Sequence, residues 1–384
     1  MKLALLTDGI TPYVMGGMQR HSANLAKYLT ISGIEVTLVH CVAFGEKKPT
    51  QNDVNSALFG DSSKYSVSKI VCLEFPEKGK IPGHYIRNSY RYSEKVADAI
   101  IPNKFDFIYA KGFTAWELLK RKNMGESSPP IGVKFHGYEM FQFLPSLKQK
   151  IGGALLRKPT KWNNTQADYV FSYGGKITDL IKNIGVDSEK IIELTSGIDS
   201  SFIRNNENLV SEEAVKFVFV GRAEIRKGVS EIELAVQTLL AKNEDFEVHF
   251  VGPIEPFIDH KKVVFHGSKS SLEEITSILD DMDVLLCPSH SEGMPNVIIE
   301  GMARGLAVLT TRVGAIEVIV NEENGIFTLP NESEHLAETM VKFIHLEKSS
   351  LNKLQNNSIS RVKEFLAWEK VSSQLIQKLE QVIK

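Results

Sequence analysis

The sequence predicts an α/β protein of two doubly wound, Rossmann-like parallel-sheet domains. Three observations lead there. Short apolar runs alternate with segments of helical periodicity, which is the signature of βαβ units. The alternation stops once, at the polar and aperiodic stretch Ser200–Glu213, and then restarts. Several runs end in glycine-bearing turns, the place where such sheets bind ligands. A chain of 384 residues is long enough for about two domains.

Composition narrows the function classes. A formal charge of −2 gives no bulk electrostatic case for nucleic acid. Cys41, Cys72 and Cys287 are scattered and lack metal-ligand spacing, which fits reduced thiols in a cytosol. The opening apolar run is too short for a signal peptide, and no stretch is apolar and long enough to span a bilayer. The expectation is a cytoplasmic protein, with room for contact at the inner face of the cytoplasmic membrane.

In order, Leu3–Thr7 reads as the first strand. Gly16-Gly17 opens a helix with Leu25, Ala26 and Leu29 at helical spacing; Gly33 ends it, and Ile34–Val42 is the next strand. No G-x-G-x-x-G is present, so this is not the dinucleotide fingerprint. Residues Gly45–Ser68 are polar and mixed and read as a long loop or insertion. Phe107–Ala110 and Ile131–Phe135 are further strands. The second ends in His136-Gly137-Tyr138-Glu139, which puts a histidine at the active end of a sheet or, equally, at an ordinary loop cap. Met140–Ala167 has no acidic residue but carries Lys148, Lys150, Arg157, Lys158 and Lys161 among aromatic and aliphatic positions. Over 141–162 that pattern suits peripheral contact with an anionic membrane, or a packed helix with a solvated basic face. Tyr169–Ser172 and Ile191–Leu194 close the first half.

The second half repeats the plan. Val215–Val220 is a strand ending in Gly221-Arg222, Val229–Leu240 a helix, Phe246–Val251 and Val263–Phe265 strands, and Leu272–Leu279 a helix. Val284–Cys287 leads into Ser289–Gly305, and Ala307–Thr310 follows. Pro295 suits the first position of the helix after that turn, and Gly305 suits its C′ position. The terminal stretch, Leu351 through Trp368 to Ile383, is helical; its last helix carries Val371, Leu375, Leu379 and Val382 on one face and could dock on either domain.

The chemistry concentrates in Ser289–Gly305. A helix start offers free N–H groups and the positive end of a dipole, which is an anion site. Glu292 lies before it and Glu300 within it; carboxylates in so apolar a segment need hydrogen-bond partners, such as sugar hydroxyls. The alternative is that both face solvent or pair with Arg304 or Arg312. Arg222 and Lys227 stand at a strand end of the same half, two cations able to hold a phosphate group or merely to serve as surface charge. Arg226 reads as solvent-facing. Asp281-Met282-Asp283 precedes a buried strand rather than following one, so it is not read as a metal motif.

Gly221-Arg222…Lys227-Gly228, then Pro288-Ser289…Glu292 with Glu300-Gly301-Met302-Ala303-Arg304-Gly305, then Gly314-Ala315-Ile316-Glu317, resembles the retaining glycosyltransferases of family 4. Gly16-Gly17 with Leu25-Ala26, the His136 segment and Ser196-Gly197-Ile198-Asp199 are similar too, and the resemblance covers nearly the whole chain in order. It implies the GT-B fold, two Rossmann-like domains facing across a cleft: residues 1–204 on the acceptor side and 205–365 on the donor side. The helix at about 366–384 would pack back on the first domain, and hinges near Ser200–Glu213 and near the start of that last helix would let the cleft close.

The resemblance also implies roles. The donor is a UDP- or GDP-sugar, and the acceptor is expected to be a glycan or, from the basic stretch over 141–162, a lipid-linked molecule of surface polysaccharide assembly. Arg222 and Lys227 neutralise the departing diphosphate, Glu292 holds hydroxyls of the transferred sugar, and Glu300 holds the ribose. The segment Gly293, Met294, Pro295, Asn296 and Val297 offers backbone N–H groups to sugar and phosphate, with Gly221 in the donor set. Gly17 allows backbone approach to the phosphate, His136 orients the donor sugar, and Gly267 lies near the base; Glu317 is a supporting candidate. No cofactor or metal is implied. Transfer would retain configuration by same-face attack, with charge building on the diphosphate. Other readings are a different GT-B enzyme, such as a nucleotide-sugar epimerase or phosphorylase, and a non-catalytic nucleotide-sugar-binding protein. Gln19, where the family commonly has an acidic residue, and Ser196, where it has Asn, are the departures.

Overall fold

The computed structural model describes residues 1–384 except 78, 80–82, 102, 103, 206–213, 270 and 384. Most of the expected hinge, 206–213, therefore lies outside the described residues. The chain forms two compact units: Met1–Ser196 with Trp368–Lys384, and Gly197–Ala367.

The first unit holds seven parallel strands: β1 (Lys2–Leu6), β2 (Glu35–Val42), β3 (Lys69–Glu74), β4 (Phe107–Lys111), β5 (Ile131–Lys134), β6 (Tyr169–Ser172) and β7 (Ile191–Glu193), in the order 3-2-1-4-5-6-7. Helices α1 (Gly17–Ile31), α2 (Gln51–Phe59), α3 (His84–Ala99), α4 (Trp116–Asn123), α5 (Leu147–Gln166) and α6 (Lys176–Asn183) connect them. Leu3 to Leu6 and Phe107 to Ala110 are wholly buried, as central strands of a parallel sheet covered on both faces must be. The order reverses between β1 and β4, so a crevice opens at the carboxyl ends of those two strands.

The reading of Gly45–Ser68 as loop is corrected: it contains α2. Thr50 and Asp53 form a reciprocal capping box at its start, a Thr-x-x-Asp signal present in the sequence. Strand β3 is missing from the sequence reading, although its run Ile70-Val71-Cys72-Leu73 is as apolar as Val284–Cys287; in the fold it is an edge strand with no fully buried residue.

The second unit has six parallel strands in the same sense of order, β10-β9-β8-β11-β12-β13: β8 (Val215–Val220), β9 (Phe246–Val251), β10 (Val263–Phe265), β11 (Val284–Cys287), β12 (Ala307–Thr311) and β13 (Gly325–Thr328). Helices α7 (Val229–Ala241), α8 (Leu272–Asp280), α9 (Asn296–Ala303), α10 (Ile316–Ile319), α11 (Ser333–Ile344) and α12 (Lys348–Arg361) surround it. Here the order reverses between β8 and β11. Helix α9 ends as expected. Gly305 has φ +84, its N–H donates to Met302 O, and Leu306 N–H donates to Gly301 O, the Schellman pattern. Pro295 sits one position earlier than expected, at the N-cap with extended backbone.

The units divide at Ser196/Gly197, where the sequence reading placed the boundary at 204/205. The reason is local. Arg304 grips Asp280 through both carboxylate oxygens (2.7 and 2.6 Å) and donates to Phe202 O at 2.8 Å, and Arg204 N–H donates to Ala303 O. Residues 197–204 are thereby fastened to the second unit. The C-terminal helix (Trp368–Val382) belongs to the first unit: Val371, Leu375 and Leu379 join its core, and Trp368 stacks on Tyr28 at 6.0 Å.

Candidate functional site

In the second unit, β8 delivers Gly221, Arg222 and a short turn to Lys227, while β11 delivers the loop 288–294. Two glycines let these segments meet. A Cβ on Gly228 (φ +74) would lie 2.4 Å from Pro288 O, and one on Gly314 (φ +57) would lie 2.3 Å from Glu292 O. The loop is pinned from β12, where Thr310 donates to Cys287 O at 2.9 Å and Thr311 to Ser289 O at 2.5 Å. The result is a buried carboxylate with a fixed set of donors. Glu292, 6% exposed, accepts from Lys227 Nζ at 2.5 Å and Ser289 Oγ at 2.9 Å, and its other oxygen is 3.6 Å from Arg226 Nη1.

Arg226 is thus corrected from solvent-facing to part of the site. It also pairs with Glu224 Oε2 at 2.8 Å, and Glu224 Oε1 takes Arg222 Nη2 at 2.9 Å. The five side chains form an alternating chain of charge: Arg222, Glu224, Arg226, Glu292, Lys227. Arg222 is its open end, its side chain 74% exposed. Arg304 and Arg312, weighed from the sequence as partners for the glutamates, bind Asp280 and Glu317 with Glu322 respectively. Glu317 is thereby placed in a surface pair.

Gly293 and Met294 follow Glu292 directly, Pro295 caps α9, and Asn296 and Val297 form its first turn. Glu300, half-buried, lies in its second turn. Gly267 is exposed at φ +67, after β10; its carbonyl accepts from Gly252 N–H at 2.9 Å, and Gly252 packs on Gly221 O. Asp283 is occupied structurally: Lys216 N–H donates to one oxygen at 2.9 Å, and Gln355 Nε2 reaches the other at 3.4 Å.

In the first unit, Gly16 caps α1 with no side-chain hydrogen bond, and Gly17 is exposed in the first turn. Beneath that turn lies a basic cluster the sequence reading missed. Lys111, 1% exposed at the end of β4, donates to Ser22 Oγ at 2.8 Å and Met18 O at 3.1 Å, and lies 3.2 Å from His21 Nδ1. Lys134, fully buried at the end of β5, donates to Leu194 O at 3.3 Å and sits 3.8 Å from the Tyr173 ring centroid. The Tyr173 hydroxyl and His136 Nδ1 are 2.7 Å apart. Burial lowers the pKa of all four basic groups. Lys111 falls to about 7; for His21 and His136 the two ammonium groups add to the depression, leaving both imidazoles neutral at pH 7. Each lysine ends an otherwise apolar strand, a position that in the sequence reads as the approach to solvent.

His136, Lys111 and Asp8 line one cavity of about 180 Å³, and Asp8 also lines a second of about 230 Å³. Burial raises the pKa of Asp8, and the Lys111 charge opposes the rise.

The buried ammonium sets a pH test. Below pH 7 Lys111 is charged in folded and unfolded chains alike, so its burial cost is present in full. Between pH 7 and about 10 only the unfolded lysine keeps its proton, and stability rises by about 1.4 kcal/mol per pH unit. Lys111→Met removes this titration, so its melting-temperature advantage over the wild type shrinks steadily from pH 7 to 9.5. A difference independent of pH contradicts the assignment.

Comparison with known proteins agrees with this architecture. Residues 15–202 match the model described as Glycosyltransferase Family 4, and residues 214–345 match Glycosyl transferases group 1. The capsular polysaccharide biosynthesis glycosyltransferase CapM of Staphylococcus aureus is 29% identical over 41% of this chain and 42% of its own length. The chain thus spans less than half of that relative. An uncharacterized glycosyltransferase of Methanocaldococcus jannaschii is 25% identical over 94% of this chain and 92% of its own. Among solved structures, Anabaena HepE in complex with UDP-glucose superposes with a TM-score of 0.67 at 15% identity, covering 99% of this chain and 100% of that one. With both halves matched in order and two Rossmann-like sheets of one strand order, the chain belongs to the family 4 glycosyltransferases and has their GT-B fold.

Proposed function

We propose that the protein is a retaining glycosyltransferase that moves a sugar from a UDP- or GDP-sugar to a glycan or lipid-linked acceptor in surface polysaccharide assembly. The observation that carries the reading is the Glu292 cluster at the β8/β11 crevice. A buried carboxylate held by a lysine, with an exposed arginine on the same network, is equipped for a ligand that is anionic at one end and hydroxyl-rich at the other. CapM, which acts in capsule synthesis, and HepE, which holds UDP-glucose, support the substrate class.

In this reading Arg222 and Lys227 take the diphosphate and stabilise the charge that builds as it departs. Glu292 and Glu300 take hydroxyls of sugar and ribose, backbone of 293–297 and Gly17 approaches sugar and phosphate, and Gly267 lies by the base. His136, kept neutral by burial and two lysines, orients the sugar without protonating it. The departing phosphate oxygen takes the acceptor's proton, and the cations make a metal ion unnecessary.

The stripe on α5 favours membrane contact. Leu147, Ile151 and Leu155 recur at intervals of four and are 74, 56 and 46% exposed, with Phe143 also exposed one turn earlier. Lys148, Lys150, Arg157, Lys158 and Lys161 are exposed beside them, and residues 140–167 include no acid. An apolar stripe among cations complements an anionic bilayer surface. Among the described residues no helix is long and apolar enough to cross a membrane.

Two outcomes follow. Arg222→Ala, at so exposed a position, leaves the melting temperature within about 1 °C, yet lowers kcat/KM for the donor 100-fold or more, about 2.7 kcal/mol. NMR of the wild-type product shows the donor's anomeric configuration. Transfer by the variant at the wild-type rate, or an inverted product, refutes the assignment. Separately, the protein floats with phosphatidylglycerol vesicles and not with phosphatidylcholine vesicles, and L147S/I151S stays at the bottom of the gradient. Equal flotation of variant and parent removes the stripe from the account.

A further inference from the structure

Helix α5 has two halves with different contacts, and Pro159 divides them. Proline brings no N–H for the Leu155 carbonyl, so the helix is softest there. Behind it, Thr160, Asn163 and Asn164 are fully buried. Asn164 Nδ2 donates to Thr160 O at 2.7 Å, and its Oδ1 accepts from the Tyr138 hydroxyl at 2.7 Å. Ahead of Pro159, the helix carries the exposed stripe Leu147, Ile151 and Leu155. This front half rests on the short turn Glu139–Phe141, where Arg157 Nε donates to Met140 O at 2.8 Å. A Cβ on Gly153 would lie 2.7 Å from Leu144 Cδ1 and 3.4 Å from Met140 Cα, so this glycine lets helix and turn meet. Both halves of α5 therefore hold the segment 138–144.

That segment is strained. Tyr138, fully buried, has φ +52 and ψ +33, a left-handed conformation that so bulky a residue rarely adopts. Such a conformation persists only where the surroundings impose it, and here α5 supplies the contacts that do. Tyr138 stands two residues after His136, and Leu156 of the front half lines the same cavity as both. Phe143, on the loop between the turn and the helix, is exposed together with Leu147, Ile151 and Leu155. A surface that takes up all four apolar side chains fixes the end of the turn against the helix.

We infer that Tyr138 and Asn164 are positioning residues for His136, and that through them an anionic bilayer seated on the front half of α5 sets the site. With α5 seated, the turn keeps the strained arrangement described here. With α5 free, Tyr138 relaxes to an ordinary backbone conformation for part of the time and His136 shifts with it. A surface moves such an equilibrium only by binding one arrangement better. The four-residue stripe supplies that difference, because Phe143 lines up with the helix only while the turn is set. The inference rests on the membrane reading above and adds what the contact does to the site.

The test is hydrogen exchange of the full chain with phosphatidylglycerol or phosphatidylcholine vesicles, read over residues 136–142 by mass spectrometry. The Phe141 and Gln142 N–H groups, which donate to Tyr138 O and Glu139 O, report whether the turn is set. Phosphatidylglycerol slows their exchange in the wild type about fivefold or more, and phosphatidylcholine does not. Tyr138→Phe, which removes one oxygen and keeps the ring, still floats with phosphatidylglycerol but loses the slowing, and Asn164→Ala does the same. A hydroxyl with a merely structural role would instead raise exchange equally with and without vesicles. With UDP-glucose, UDP-N-acetylglucosamine or GDP-mannose, whichever is turned over, phosphatidylglycerol raises kcat for the wild type and not for Tyr138→Phe. Flotation without slowing overturns the inference, and so does slowing that survives Tyr138→Phe, since that is direct shielding by lipid. A wild type that does not float defeats the membrane reading, and the inference with it.

Discussion

The Lys227–Glu292 pair is the contact on which the second unit's candidate site depends. At 2.5 Å, with the carboxylate 6% exposed, it joins the turn after β8 to the loop after β11 across the point where strand order reverses. The contact helps keep both loops in place in the absence of a donor, and it is not alone in doing so. Ser289 and Arg226 complete the carboxylate's shell, and Gly228 and Gly314 let the backbones come close enough for it to form. The site is preorganised: the charges a diphosphate and a sugar would meet already face one another.

The chain of alternating charge also explains how an exposed guanidinium can have a defined place. Arg222 alone would sample many rotamers, and a surface ion pair contributes little. Glu224, shared with Arg226, links it to the buried end of the network. Stability thus resides at Glu292 and accessibility at Arg222.

Much of this was legible in the sequence, for physical reasons. Central parallel strands are mostly apolar, so β1, β2, β4, β8 and β11 stood out, whereas the edge strand β3 was missed despite its apolar run Ile70–Leu73. The Schellman end of α9 was read from Gly305, and α2 was overlooked although Thr50 and Asp53 mark its start. Glu292 and Lys227 were legible as candidates, but their direct contact was not, since 65 residues separate them. Arg226 looked like surface charge because nothing local distinguishes it; only the β11 loop, brought in by the sheet, makes it a partner of Glu292. The buried lysines of the first unit were hidden differently. A lysine at a strand end is ordinarily a sign of solvent, and here helix α1 and Tyr173 cover both. The basic stretch over 141–162 was visible from composition, and the fold adds that its apolar positions stay exposed on one face.

The central claim is that Glu292 recognises the sugar of the donor while the cations recognise its diphosphate. Calorimetric titration of UDP and of the matching UDP-sugar, or the GDP pair if that is the donor, into wild type and Glu292→Gln tests it most directly. The account predicts that the wild type binds the nucleotide sugar at least tenfold more tightly than the bare nucleotide. The variant loses that increment yet binds the bare nucleotide as well as before or better, since Lys227 no longer shares its charge with a carboxylate. An increment that survives the substitution, or a parallel loss of affinity for both ligands, would contradict the account.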